Sequence, residues 1–235
     1  MGRRRQVNGP LGQEGPDALE AFAVLLVWVV VDGAVQNLPG FRMAREQSTP
    51  LYYSLLAVLR VLEALGLLAY WRLRGWSAAA LGFRGERSAR GAAFGVGLAL
   101  GLGALVTVLE VGARLAFHGS FLRLVAGTPT PAAHLGVLLV VGGLIAPVFE
   151  ELLFRGILYG GLRKRAGIFF STTVASLIFA SAHYNFRAVH PVQAAGAVLF
   201  CAAYELSGSL WAPLIVHVTG NLALFLAPSL LRLTE

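Results

Sequence analysis

The chain has 235 residues, of which 57% are hydrophobic and 13% charged, with mean hydropathy +0.70. A soluble domain carries about 25% charged residues, so this composition excludes an ordinary soluble globular protein and a disordered one, and points to a polytopic membrane protein. A single cysteine, Cys201, rules out an intramolecular disulfide and any CxxC metal knuckle or redox pair.

Residues 1–20 are polar, with Arg3, Arg4, Arg5 and two Gly-Pro pairs, and read as a flexible cytoplasmic tail. The apolar run that follows, 21–31, is preceded by Asp17 and Glu20 and has no clear small-residue cleavage site after it. It is therefore read as a retained first span rather than a signal peptide. Met1-Gly2 fits a myristoylation signal poorly, because position 6 is Gln6. Further spans are expected at 51–71, 92–117, 134–162, 168–184, 192–205 and 209–226, giving an all-α transmembrane bundle of seven spans, with six to eight as the range. Only helices or closed barrels satisfy backbone polar groups in lipid, and these runs lack the two-residue alternation of barrel strands. The domain reading is a tail (1–20), N-terminal spans (21–133) and a catalytic core (134–228). Gly97 and Gly101, inside the apolar stretch 95–103, are expected to allow close helix packing rather than dinucleotide binding.

Net charge is +7, and the 19 basic residues are all arginine except Lys164. They are scattered between apolar segments instead of forming a stripe, which reads as topogenic charge and anionic-lipid contact, not nucleic-acid binding. Eleven of them fall in the tail, in the loop with Arg72, Arg74, Arg84, Arg87 and Arg90, and in the Arg163-Lys164-Arg165 cluster. The opposite side has six: Arg42, Arg45, Arg114, Arg123, Arg187 and Arg232. Positive-inside bias then places the N-terminus in the cytoplasm, and an odd span count places the C-terminus outside.

Charges at membrane depth are costly and ask for a reason. Arg60 and Glu63, three apart, are expected to pair. Asp32, Glu110 and Glu205 lie near span ends and are expected to reach the interface or water. The segment 146–156 is different: Glu150 and Glu151 are adjacent in an apolar helix, with Arg155 one turn later. Glu151 and Arg155 share a face and can pair, whereas Glu150 projects about 100° away. A carboxylate without a cation at low dielectric suits a general base. Pro147 removes a helical hydrogen bond just upstream. Two other spans deliver His183, His217 and Asn221, the last two one turn apart and four residues beyond Pro213. Two imidazoles, a carboxylate and an amide can bind and deprotonate one water, or ligate one Zn²⁺ with an open position. Neither HExxH nor Gly-x-Ser-x-Gly is present. His118, His134 and His190 are read as structural or solvated.

At these residues the sequence resembles the CAAX prenyl protease and bacteriocin-processing (CPBP, or Abi) family of intramembrane proteases. Glu150, Glu151 and Arg155 match Glu-Glu-x-x-x-Arg. Phe179 and His183 match Phe-x-x-x-His, and His217 and Asn221 match His-x-x-x-Asn/Asp. The stretch 204–211 also resembles the family's run before the third motif. The likeness covers about residues 140–225, and the first 130 residues carry no comparable signature. The resemblance implies a membrane endopeptidase in which Glu150 activates water with His183 assisting, while His217 and Asn221 bind that water and stabilise the oxyanion. It makes Glu151 and Arg155 the supporting pair. No cofactor is expected, with Zn²⁺ on Glu150, His183 and His217 as the metal alternative. The Arg-rich, Lys-poor composition points to a GC-rich bacterial genome, hence to the bacterial inner membrane and to a membrane-anchored protein or peptide substrate other than a prenylated CAAX protein. The competing readings are a non-proteolytic immunity or scaffold protein, for which the polar residues are interhelical glue, and a transporter, which the absence of an inverted repeat disfavours.

Overall fold

Apolar runs too poor in polar partners for anything but internally bonded backbone must become helices, and they do. The computed structural model describes residues 15–83, 85–126, 132–183 and 191–232, and among these every regular element is helical. In chain order they are α1 (Ala18–Gln36), α2 (Pro39–Gln47), α3 (Thr49–Leu73), a 3₁₀ turn (Ala78–Leu81), α4 (Gly85–Phe117) and α5 (Phe121–Ala126). One long composite helix follows, built from α6 (Ala132–Val140), a π-helical segment (Val141–Ile145), α7 (Ala146–Glu151), a second π segment (Leu152–Tyr159) and α8 (Gly160–Arg163). Then come α9 (Ile168–Ala182), α10 (Pro191–Ser207) and α11 (Trp211–Arg232). Four segments are long and apolar enough to cross a bilayer: Ala18–Gln36, Thr49–Leu73, Ala78–Phe117 and Ala133–Arg163. Ile168–Ala182 and Trp211–Ala227 are shorter apolar helices. His190, Arg84, Arg187 and most of the tail lie outside the described residues.

The composite helix is the axis of the bundle. Phe149, Glu151, Leu153, Leu158 and Tyr159 are fully buried along it, while α1, α3 and α4 turn Leu26, Val30, Leu62, Leu100 and Val108 outward, as lipid contact requires. At one end, Asp17 accepts from the Glu20 N–H at 2.9 Å to cap α1 and lies 3.2 Å from Arg165; Arg74 lies 2.6 Å from Glu20. The start of α1, the end of α3 and the Arg163-Lys164-Arg165 cluster therefore share one end of the bundle.

Several expectations are corrected. Asp32 does not simply reach the interface: it lies 2.8 Å from Arg60, which also binds Glu63, so three charges form one cluster between α1 and α3. Glu110 is drawn inward and caps the start of α5, accepting from the Leu122 N–H and the Ser120 hydroxyl with Arg114 at 2.6 Å. Glu205 is not left to water but bonds Arg163 at 2.8 Å and the Tyr159 hydroxyl at 2.9 Å. A carboxylate withdrawn from water in an apolar bundle is strongly destabilising if it is left without a compensating partner. Gly97 and Gly101 have open space where a side chain would go; the close helix contact falls instead at Gly91 and Gly95. A Cβ at Gly95 would stand 2.8 Å from the Ala212 carbonyl oxygen and one at Gly91 2.4 Å from Ser209, which explains how α4 approaches α11.

Overpacking a close contact costs about 1–3 kcal/mol. Gly95→Leu is therefore expected to lower the thermal unfolding midpoint in detergent, while Gly101→Leu leaves it near wild type. Equal effects at the two positions would contradict this packing.

Candidate active site

Pro147 has no N–H to give the preceding turn, and the π segment Val141–Ile145 leads directly into it. Such widened turns recur where helices carry function. Two residues beyond Pro147 the chain presents Phe149, then Glu150 and Glu151 on adjacent faces. Glu151 has no exposure and Arg155 1%, and their side chains pair at 2.8 Å. The Arg155 guanidinium also donates to the Ala197 carbonyl of α10 at 3.3 Å. It sits between the rings of Phe179 and Phe200, 4.7 and 4.9 Å from their centroids, so its charge is held by aromatic faces as well as by the carboxylate.

The same Glu151 oxygen takes a second bond, from His217 Nδ1 at 2.7 Å. Phe200 stacks on the His217 ring, with centroids 4.4 Å apart and 21° between planes. On α9, His183 Nδ1 lies 2.9 Å from the Phe179 carbonyl oxygen and the Phe179 ring packs 4.5 Å from the imidazole. Both Nδ1 atoms face acceptors and so carry hydrogens, which turns both Nε2 atoms toward one point. That point is Glu150 Oε2, 3.7 Å from His183 Nε2 and 3.6 Å from His217 Nε2. These separations exceed a direct hydrogen bond and suit a bridging water. Glu150 Oε2 is buried with no hydrogen-bond partner among the described residues.

Glu150, His183 and His217 thus come together from three separate helices. Asn221, one turn beyond His217, instead gives an amide hydrogen to the Gly142 carbonyl at 2.8 Å, tying α11 to the π segment ahead of α7. Phe225 and Leu222 pack so closely here that a Cβ at Gly142 or Gly143 would meet them at 2.9 and 2.5 Å. His118 lies in the turn after α4 and His134 in α6. Among the described residues, no group of three His, Cys, Asp or Glu side chains is arranged to hold a metal ion. Sequence reading missed Phe200, whose aromatic ring in an apolar run gives no signal of its role. It missed Gly142 too, since a backbone carbonyl leaves no mark on composition.

Residues 132–223 match the family model described as type II CAAX prenyl endopeptidase Rce1-like. Among curated proteins the chain is similar to the membrane protein YdiL of Bacillus subtilis (strain 168), 27% identical over 85 residues, which is 36% of this chain and 34% of that one. It is also similar to the membrane-embedded CAAX protease MroQ of Staphylococcus aureus (strain USA300), 36% identical over 84 residues, 33% of this chain and 34% of that one. The chain thus spans about a third of the length of the curated relatives it matches. No solved structure matches. A helical membrane protein with two carboxylates and two imidazoles in its core is the class that fold and site define. Over residues 132–223 the chain is similar to the Rce1-like CAAX prenyl endopeptidase family of membrane proteases.

Removing one partner of a fully buried pair strands the other charge and costs about 3–5 kcal/mol. Arg155→Met is expected to lower the unfolding midpoint sharply and to reduce the yield of folded protein in detergent. A midpoint equal to wild type would contradict the role of this pair.

Proposed function

We propose that the protein is an intramembrane endopeptidase that hydrolyses a peptide bond of a membrane-anchored protein or peptide with water activated by Glu150. The observation that carries this reading is the partnerless Glu150 oxygen facing two oriented imidazole nitrogens. A water at that point gives a proton to Glu150 as its oxygen bonds to the scissile carbonyl carbon. His183 assists that transfer. His217 Nε2, the lone-pair nitrogen of this tautomer, accepts a hydrogen bond from that water and holds it in place. The second amide hydrogen of Asn221 stabilises the oxyanion of the tetrahedral intermediate, as a preorganised donor does. Collapse breaks the C–N bond, and the proton held by Glu150 passes to the leaving amine. Glu151 and Arg155 keep His217 in the required tautomer.

In this reading α9, α10 and α11 cross the bilayer with the four segments Ala18–Gln36, Thr49–Leu73, Ala78–Phe117 and Ala133–Arg163, giving seven crossings with the N-terminus in the cytoplasm of a bacterial cell. The substrate class is a membrane-anchored chain in protein maturation or sorting, not a prenylated CAAX protein. Glu150→Ala in cells is expected to make one membrane precursor accumulate in a proteomic comparison with wild type; unchanged processing would overturn the reading and favour the non-proteolytic alternative. Water activation by Glu150 also implies no resident metal. Elemental analysis of the purified protein is expected to find zinc well below one per chain, and stoichiometric zinc whose removal abolishes cleavage would overturn that part.

A further inference from the structure

The family match begins at residue 132, yet a cluster of charges from α1 and α3 reaches the site helix. Arg60 stands near the middle of α3, where an unshared charge is most costly. It is held by Asp32 of α1 at 2.8 Å and by Glu63 one turn along its own helix. Asp32 in turn takes both its oxygens to the Gln36 amide, at 2.9 and 2.8 Å. Two carboxylates on opposite nitrogens fix the guanidinium in place and in orientation more firmly than one partner does. A single pair would be enough to join two helices. Here the guanidinium also lies 5.3 Å from the ring centroid of Phe149 and 5.7 Å from that of Trp28, while those two rings are 5.7 Å apart.

Phe149 is fully buried and immediately precedes Glu150. It belongs to α7, a stretch of six residues between two π segments. Its ring is thus the handle by which α3 grips α7 at the residue next to the candidate base. We propose that Arg60, clamped by Asp32 and Glu63, is a positioning residue that sets the Glu150 carboxylate opposite the two imidazoles through the ring of Phe149. The inference rests on the site reading above, but the geometry it concerns can be read without cleavage.

The test uses the full chain, ¹⁵N-labelled at its five histidines, in lipid nanodiscs, with signals assigned by single histidine substitutions. Arg60→Gln and Phe149→Leu are each expected to move the Nε2 signals of His183 and His217, leaving those of His118 and His134 in place. If Arg60 acts through Phe149, the double variant moves them no further than the larger single change. Site signals that stay at wild-type positions in Phe149→Leu, or shifts that add in the double variant, would overturn the proposal. Phe149→Leu leaves the charged cluster intact, so it decides the matter alone if Arg60→Gln does not fold. Once a precursor is in hand, each single variant is expected to lose about tenfold in kcat with KM within about twofold, and the double about tenfold rather than a hundredfold. Wild-type protein without cleavage but with these spectral couplings would end the protease reading and leave the positioning intact.

Discussion

A carboxylate with no exposure, set in an apolar bundle, has to be answered by the helices around it. Glu151 is that group. Its one bonded oxygen receives Arg155 from its own helix and His217 from α11, and Arg155 passes on to the Ala197 carbonyl of α10. Four polar groups on three helices are thereby locked at fixed distances. Breaking any one of them leaves a charge or a donor stranded at low dielectric, where the cost is several kcal/mol. The gain is directional: the proton on His217 is held at Nδ1, so Nε2 faces Glu150.

Neighbouring acids in the chain show what Glu150 lacks. Asp32, Glu63, Glu110, Glu151 and Glu205 each have a guanidinium partner. Glu150 faces two imidazoles and keeps one oxygen without a hydrogen-bond partner among the described residues. Glu63 and Glu151 also keep one unbonded oxygen among the described residues, so what sets Glu150 apart from these acids is a pair of imidazoles in place of a guanidinium. Two adjacent glutamates on a helix thus differ by direction, one bonded to Arg155 and His217 and the other facing the Nε2 atoms of His183 and His217.

The helices were legible because lipid allows so little else: long apolar runs with polar loops between them have one internally bonded solution. The carboxylate and imidazole trio was legible because each member is expensive at membrane depth and stands out by residue type. What stayed hidden depended on neighbours that sequence spacing does not record. Asp32 reads as a span-end charge until α3 brings Arg60 beside it. Glu205 reads as hydrated until Arg163 and Tyr159 enclose it. Gly97 and Gly101 have the spacing of a close-packing pair, but α11 meets α4 at Gly91 and Gly95 instead. Asn221 shares a helix with His217 as expected, while its partner is a backbone carbonyl made accessible by a glycine.

The central claim is the division of labour between the two adjacent glutamates, and thermal unfolding of two conservative variants in detergent tests it most directly. Glu150→Gln keeps the shape and removes a charge that has no ion partner but imidazole, so its midpoint is expected to match wild type. Glu151→Gln takes the charge away from Arg155 and His217 together, and its midpoint is expected to fall by roughly 5 °C or more. A stable Glu151→Gln protein beside an unfolded Glu150→Gln protein would contradict the account.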